Sequence, residues 1–244
     1  MASASYRLPA LDQDFLLSDT MRGVRFMLEY AKAEEALRDA RVRSTLVVFG
    51  SARVRPDNGN ARHAGWYEQA RLFGRIASLR GGALAPVSGW RDNVIATGGG
   101  PGVMEAANRG AREVGAPTIG FNISLPREQQ PNPYQSPDLT FRFHYFAMRK
   151  MHLAMRANAL VAFPGGFGTF DELFEVLTLR QTHKSPPIPI VLFDKAYWTG
   201  LINFGQLVEE GMIDAADLTL FDYADDAEAL WNRLVAGGIC DITR

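Results

Sequence analysis

Nine consecutive residues carry the densest chemical pattern in this 244-residue chain: Pro164-Gly165-Gly166-Phe167-Gly168-Thr169-Phe170-Asp171-Glu172. The glycines let backbone amides crowd a ligand without Cβ interference, and a helix start behind them adds unpaired N–H groups and positive dipole. That combination suits an anion, most often a phosphate. Asp171 and Glu172 would repel a phosphate, so they need another reason to be there. One reason is local: Thr169 to Glu172 fits a capping box with Thr169 as N-cap, and Asp171 reads as a first-turn acid favoured by the dipole. The other is catalytic, and it depends on Arg149-Lys150. Arg149 stands at the start of a helix, where the dipole disfavours a cation. Alone it would be a surface salt bridge. Together with an acid at a neighbouring strand end it suggests a positioned substrate: amides take a phosphate, the guanidinium holds an acceptor, and the carboxylate meets developing positive charge.

The elements that must position these groups alternate. An apolar run at 159–163 leads into the glycine turn as a buried strand, and Leu173, Phe174, Val176, Leu177 and Leu179 recur at helical spacing up to about Thr182. Earlier in the chain, 15–40 forms a helical prelude, 45–49 a strand ending in Gly50-Ser51, and 62–79 a helix. A connector at 81–89 leads to a strand at 93–97, which ends in the run Gly98–Gly102, and a helix over 103–114 follows. Strand 118–123 precedes a loop, 124–138, whose Pro126, Pro131, Pro133 and Pro137 are too many for a regular element; loops of that length are often functional. Strand 139–144 and a helix from 146 to about 158 complete the approach to the central turn. After it come strand 188–193, helix 198–210, strand 218–221 and helix 225–235. Such alternation predicts a single α/β domain, residues 1–244, with a mostly parallel sheet covered on both faces and 15–40 as an N-terminal extension. In such sheets ligands sit beyond the strand carboxyl ends. Gly50-Ser51, Gly98–Gly102, Met148-Arg149-Lys150 and the Gly165–Glu172 segment all fall there, so one crevice can be lined by all four.

Several chemistries are disfavoured. Neither glycine run fits the dinucleotide fingerprint, because Val103 and Asp171 stand where its third glycine or alanine belongs, and no Gly-Lys-Ser/Thr of a nucleotide triphosphatase exists. His63, His144, His152 and His183 lack metal-ligand spacing, so no metal is expected. Of the histidines, His144 and His152 flank Arg149, where a structural role is the plainer one. Lys150 is the one lysine near the crevice, and no cofactor is expected. The formal charge of −1 gives no footprint for nucleic acid or an anionic membrane. Cys240 is the single cysteine, which excludes an intramolecular disulfide. No stretch is apolar enough to span a bilayer and no signal-peptide core opens the chain, so the expected location is cytoplasmic.

The nine-residue segment matches the PGGxGTxxE signature of the LONELY GUY family, cytokinin riboside 5′-monophosphate phosphoribohydrolases once described as lysine decarboxylases. The resemblance runs from about Leu46 to Ile213 and includes Gly50-Ser51, the GGGxxGxM-like Gly98 to Met104, and Arg149-Lys150. It implies a Rossmann-like, doubly wound fold, at least a homodimer, and cleavage of the N-glycosidic bond of a nucleoside 5′-monophosphate, such as AMP, to free base and ribose 5-phosphate. The family's catalytic arginine and glutamate fall on Arg149 and Glu172. Its phosphate loop falls on Gly165, Gly166, Gly168 and Thr169, with Gly50, Ser51, Gly99 and Gly100 also beside the phosphate and ribose, and Met104, Met148, Lys150 and Asp171 as weaker lining positions. Phe146-Ala147-Met148 replaces the family's Met-His-Glu, and the chain resembles the longer members. A nucleotide or molybdopterin carrier on the same fold is the alternative reading.

Overall fold

An unbroken apolar and β-branched run, Thr45–Phe49, forms a strand buried along its whole length, β1. Before it stand α1 (Gln13–Leu17) and α2 (Arg22–Asp39). After it follow α3 (Ala61–Arg80), β2 (Val94–Thr97), α4 (Val103–Glu113), β3 (Thr118–Ile123), β4 (Thr140–Phe143), α5 (Phe146–Met155) and β5 (Ala157–Ala162). The rest of the chain adds α6 (Phe167–Gln181), β6 (Ile190–Phe193), α7 (Lys195–Leu201), α8 (Phe204–Glu209), β7 (Asp222–Ala224) and α9 (Ala227–Ala236). The computed structural model describes residues 3–57, 59–84, 86–125 and 130–243. Pro126 of the proline-rich loop lies outside the described residues.

Among the described residues seven strands lie in the order β4-β3-β2-β1-β5-β6-β7, and every neighbouring pair is parallel. Parallel strands need crossovers, and the helices between them supply these, so the fold is α/β, Rossmann-like and doubly wound. Polar side chains start the helices where the pattern requires: Asn60 accepts the Arg62 and His63 N–H groups ahead of α3, and Asp226 accepts that of Ala229 ahead of α9. The central strands β1, β2 and β6 are buried throughout, and Phe73, Phe121, Phe143, Phe163, Trp198 and Trp231 fill the space between sheet and helices. Each such side chain contributes roughly 1.5–3 kcal/mol by leaving water.

Several elements differ from the sequence pattern. The helical prelude is not one helix: Ser18 ends α1, and a 3-10 turn, Asp19–Met21, precedes α2. The helix expected over 198–210 is two, α7 and α8, because the Asn203 side chain accepts the Gln206 N–H and restarts the chain as a new helix. The strand expected at 218–221 is a 3-10 helix, Ala215–Leu220, held by a capping box between Asp214 and Asp217; the strand comes afterwards, as β7. The helix before the glycine turn stops at Met155, so β5 begins at Ala157, earlier than the apolar run. Arg149 and Glu172 were also expected at neighbouring strand ends. In the sheet β4 is an edge strand, and three strands separate it from β5.

Helices α3 and α4 approach unusually closely at two glycines. A methyl group on Gly74 would run into the Ala107 carbonyl, and one on Gly110 into that of Arg71. Gly65, exposed on α3, has nothing within 4 Å of the same position. Gly110→Ala is therefore expected to lower stability by about 1–3 kcal/mol through overpacking. Gly65→Ala is expected to raise it by about 0.5–1 kcal/mol through helix propensity. Urea unfolding of both variants checks the contrast, and equal shifts would contradict the close approach.

Candidate functional site

The direction of strand progression reverses between β1 and β5, so the connections leaving their carboxyl ends part company there. This is the place where open α/β sheets leave a crevice. β1 runs into Gly50-Ser51 and β5 into Pro164-Gly165-Gly166. The two turns are joined across the crevice floor: Ser51 N–H donates to the Pro164 carbonyl at 3.0 Å, and Phe163 N–H to that of Phe49 at 2.9 Å.

Helix α6 opens directly from the second turn, and its N-cap is Gly166, with no side-chain cap. The capping box expected between Thr169 and Glu172 does not form. Thr169 lies inside the helix, its N–H already bonded to the Gly166 carbonyl at 2.9 Å, so a carboxylate reaching back finds no free donor. Asp171 likewise falls beyond the first turn. What remains open are the N–H groups of Gly166, Phe167 and Gly168, which have no acceptor among the described residues. All three residues are exposed, and a methyl group on Gly166 or Gly168 would meet nothing within 4 Å. Three amides at a helix start, facing open space, have the chemistry to cradle an anion. Gly165 lies buried beneath, against the Thr169 side chain, and its carbonyl accepts the Tyr197 hydroxyl at 2.6 Å. The Ser51 hydroxyl accepts the Arg53 N–H at 3.0 Å and keeps its own proton to donate.

Beside the cradle, Arg149 and Glu172 face each other. Arg149 Nη1 lies 3.5 Å from Glu172 Oε1, and only 12% and 8% of the two side chains are exposed. Arg149 is the fourth residue of α5, and its Nε donates to the Phe121 carbonyl on β3 at 2.9 Å. Its guanidinium also fills the space above Gly98, at the end of β2, where a Cβ would sit 2.6 Å from a guanidinium nitrogen. One arginine thus spans the carboxyl ends of β3 and β2 to reach α6. Burial holds the Glu172 carboxyl above the usual range against the pull of Arg149 and Lys150, and burial also lowers Arg149 against the attraction of Glu172 and Asp171. Lys150 points elsewhere, to Asp171 at 2.8 Å and Glu175 at 2.9 Å. These two carboxylates outweigh its burial and raise its pKa. An open hollow of about 550 Å³ lies on that outer side, lined by Lys150, Asp171, Phe167, Phe170 and Phe174; neither Arg149 nor Glu172 lines it.

The other glycine turn plays a different part. Gly98, Gly99 and Gly100 are buried. Gly99, at φ +74°, leaves no room for a side chain beside Asn122. Its N–H goes to Thr97 Oγ1, and its carbonyl accepts the Asn132 N–H and the Gln135 side chain, so its backbone groups are engaged within the protein. The Asn132 amide donates to the Gly100 carbonyl at 3.0 Å and to Asn108 at 2.9 Å. Asn132 and Gln135, both nearly buried, therefore latch the proline-rich loop onto the turn. Nothing in the sequence pattern singled them out, because polar residues among prolines read as solvated loop. Gly50 packs its Cα on Val103. Met104 sulfur borders Gly98, and Met148 packs on the core. His152 is buried among Tyr30, Phe121 and Phe143, away from the crevice, and the backbone N–H of His144 bonds to Glu29. Among the described residues no cluster of three or more His, Cys, Asp or Glu is arranged to hold a metal ion, and no helix is long and apolar enough to cross a membrane.

A family model described as "Possible lysine decarboxylase" matches residues 104–234, more than half of the chain. The chain belongs to this family, the LONELY GUY family. Among its curated relatives, the probable cytokinin riboside 5′-monophosphate phosphoribohydrolase LOG4 of Oryza sativa subsp. japonica is 31% identical over 145 residues, which cover 58% of this chain and 62% of that protein. The chain thus spans less than two thirds of this relative's length. The cytokinin riboside 5′-monophosphate phosphoribohydrolase LOG4 of Arabidopsis thaliana is 27% identical over 184 residues, 68% of this chain and 84% of that one. Among solved structures, the structural-genomics target TM1055 aligns with a TM-score of 0.54 at 21% identity, covering 79% of this LONELY GUY chain and 99% of its own; the likeness shows the fold.

The latch on the glycine turn yields a direct expectation. Asn132→Ala removes a buried amide that satisfies two carbonyls and the Asn108 side chain, and is expected to cost about 1–3 kcal/mol. Denaturant unfolding checks it, and an unchanged midpoint would contradict the latch.

Proposed function

We propose that the protein hydrolyses the N-glycosidic bond of a purine nucleoside 5′-monophosphate, AMP or an N6-substituted AMP, to free base and ribose 5-phosphate. The observation that carries this reading is the buried Arg149–Glu172 pair beside three unclaimed amides at the α6 start. The similarity to phosphoribohydrolases of a nucleoside monophosphate supports it.

In this reading the 5′-phosphate sits on the Gly165–Thr169 loop, on the N–H groups of Gly166, Phe167 and Gly168, with the Ser51 hydroxyl as a further donor. Gly99, whose N–H is taken by Thr97, shapes the crevice without donating, and Gly50 and Gly100 lie beside the phosphate and ribose. The ribose then lies over Glu172. As the bond between C1′ and the base nitrogen breaks, its electron pair leaves with the base and positive charge grows on the ribose. A fixed carboxylate at that point stabilises the transition state more than the ground state. Water adds its oxygen to C1′, and Glu172, whose burial makes it readier than an ordinary carboxylate to hold a proton, takes the proton that water releases. The departing base takes up a proton from solvent. Arg149 balances Glu172 and holds the sugar or the base. Lys150 and Asp171 neutralise each other at the rim.

The proposal takes the chain as one domain that assembles as a homodimer or a multiple of one. Val24, Met27 and Leu28 on α2 and Phe167 and Phe174 on α6 are exposed apolar side chains that a second copy would cover. Because the amide cradle is the main anchor, AMP is expected to be cleaved and adenosine barely. Glu172→Gln is expected to lower kcat for base release on the order of a hundredfold or more while AMP still binds. A Gln variant with near-normal kcat, or equal kcat/KM for AMP and adenosine, would contradict the reading. Binding of AMP by the unmodified protein without release of base would favour the carrier alternative.

A further inference from the structure

Among the described residues no hydrogen bond or ion pair joins the N-terminal helix α2 to Arg149 or Glu172, yet α2 grips the helix that carries Arg149 at both ends and in the middle. At the first end, α5 has no side-chain cap and no acid in its own first turn. Glu29 supplies both from α2: one carboxylate oxygen accepts the His144 N–H at 2.9 Å, the other the Tyr145 N–H at 3.2 Å. A carboxylate at that position satisfies unpaired amides and faces the positive end of the helix dipole. Arg25 adds a hydrogen bond from Nε to the Tyr145 hydroxyl at 2.9 Å, and Phe26 meets the Tyr145 ring edge-on at 4.4 Å. Arg25 is itself held, since its Nη1 donates to the Leu16 and Ser18 carbonyls at the end of α1. In the middle, Tyr30 stacks on His152 of α5 at 5.4 Å. At the far end, Glu34 forms two hydrogen bonds, 2.7 and 2.6 Å, with the guanidinium of Arg156, the C-cap residue of α5. Glu34 is nearly buried, and Arg38 closes it from the other side at 3.0 Å.

Arg149 lies between these two grips. Its reach to Glu172 depends on where α5 stands along its own axis and how it is rotated, and a turn of one residue would move the side chain by about 100° around the helix. We propose that α2 is a positioning element for the site: Glu29 and Glu34 fix the axial place and rotation of α5, and so set the Arg149 guanidinium against Glu172. The inference rests on the proposed role of Arg149 for its link to catalysis, but its geometry stands without it. It gives the N-terminal extension a task that neither a solvated helix nor a dimer face accounts for, because the carboxylates concerned point inward, to the ends of one helix.

The test uses the full chain with Glu29→Ala, Glu29→Gln as the conservative variant that keeps one acceptor, and Glu35→Ala as a control at an exposed position of the same helix. Two readouts are taken. The first is the Nε–H resonance of Arg149 in a protein labelled with ¹⁵N-arginine, assigned with Arg149→Lys; this proton bonds to the Phe121 carbonyl and reports where the side chain is held. The second is kcat for base release from AMP beside the dissociation constant for inorganic phosphate, which would engage α6 and not α5. Glu29→Ala is expected to shift or broaden the Arg149 resonance and lower kcat on the order of tenfold to a hundredfold. Phosphate affinity should be unchanged, Glu29→Gln intermediate and Glu35→Ala neutral. An unmoved resonance in a folded Glu29→Ala protein overturns the positioning role, as does an equal effect from Glu35→Ala. If the resonance moves but the unmodified protein releases no base from AMP, the positioning stands and the proposed reaction falls.

Discussion

Two full charges, Arg149 and Glu172, face each other at 3.5 Å where water reaches little of either. Taking two ions out of water costs several kcal/mol each, and their attraction offsets this only with good geometry. Here the geometry is sparse: no hydroxyl or amide donates to Glu172 among the described residues, and Arg149 spends only its Nε on a backbone carbonyl. An apolar pair of the same volume would serve stability as well or better. In the proposed reading a ligand completes the pair, its sugar and base taking the remaining lone pairs and guanidinium protons.

Bringing the two together is a demand on the whole fold. Glu172 rides on the helix that follows the central strand β5, and Arg149 on the helix that follows the edge strand β4. The reversal of strand order between β1 and β5 opens the crevice, and α5 carries Arg149 back toward it past the ends of β3 and β2. Gly98 is the clearance for that passage, since any side chain there would collide with the guanidinium. The neighbouring Gly99 turn is kept in shape from behind by Asn132 and Gln135. The anion cradle is kept in shape from below by the Tyr197 hydroxyl on the Gly165 carbonyl.

Much of this was legible in the amino-acid order, and what was not has a common cause. Strand 45–49 is found where its apolar and β-branched run puts it, because a strand buried along its whole length declares itself locally, and strand 118–123 also keeps its expected bounds. The glycine turn before α6 announced itself in the same way. The capping box did not form, because a local match of residue types cannot tell that Gly166, three residues earlier, already begins the helix. Asp214 and Asp217 form a capping box instead, and so displace an expected strand. Glu29, Glu34, Asn132 and Gln135 are not legible in the amino-acid order, because a polar residue carries no mark of its partner when that partner is as much as 122 residues away. The pairing of Arg149 with Glu172 was read from their types. The path by which they meet, across three strands, was not.

The central claim is that Arg149 and Glu172 act as one unit on the breaking glycosidic bond. Groups that act as a unit lose their effect together, so a double-mutant cycle on kcat for base release from AMP tests the claim most directly. With Arg149→Lys, Glu172→Gln and the combined variant, the account predicts that the double substitution is about as slow as the slower single one. Effects that multiply, with each substitution slowing the other variant as much as it slows the unmodified protein, would show two independent residues and contradict it.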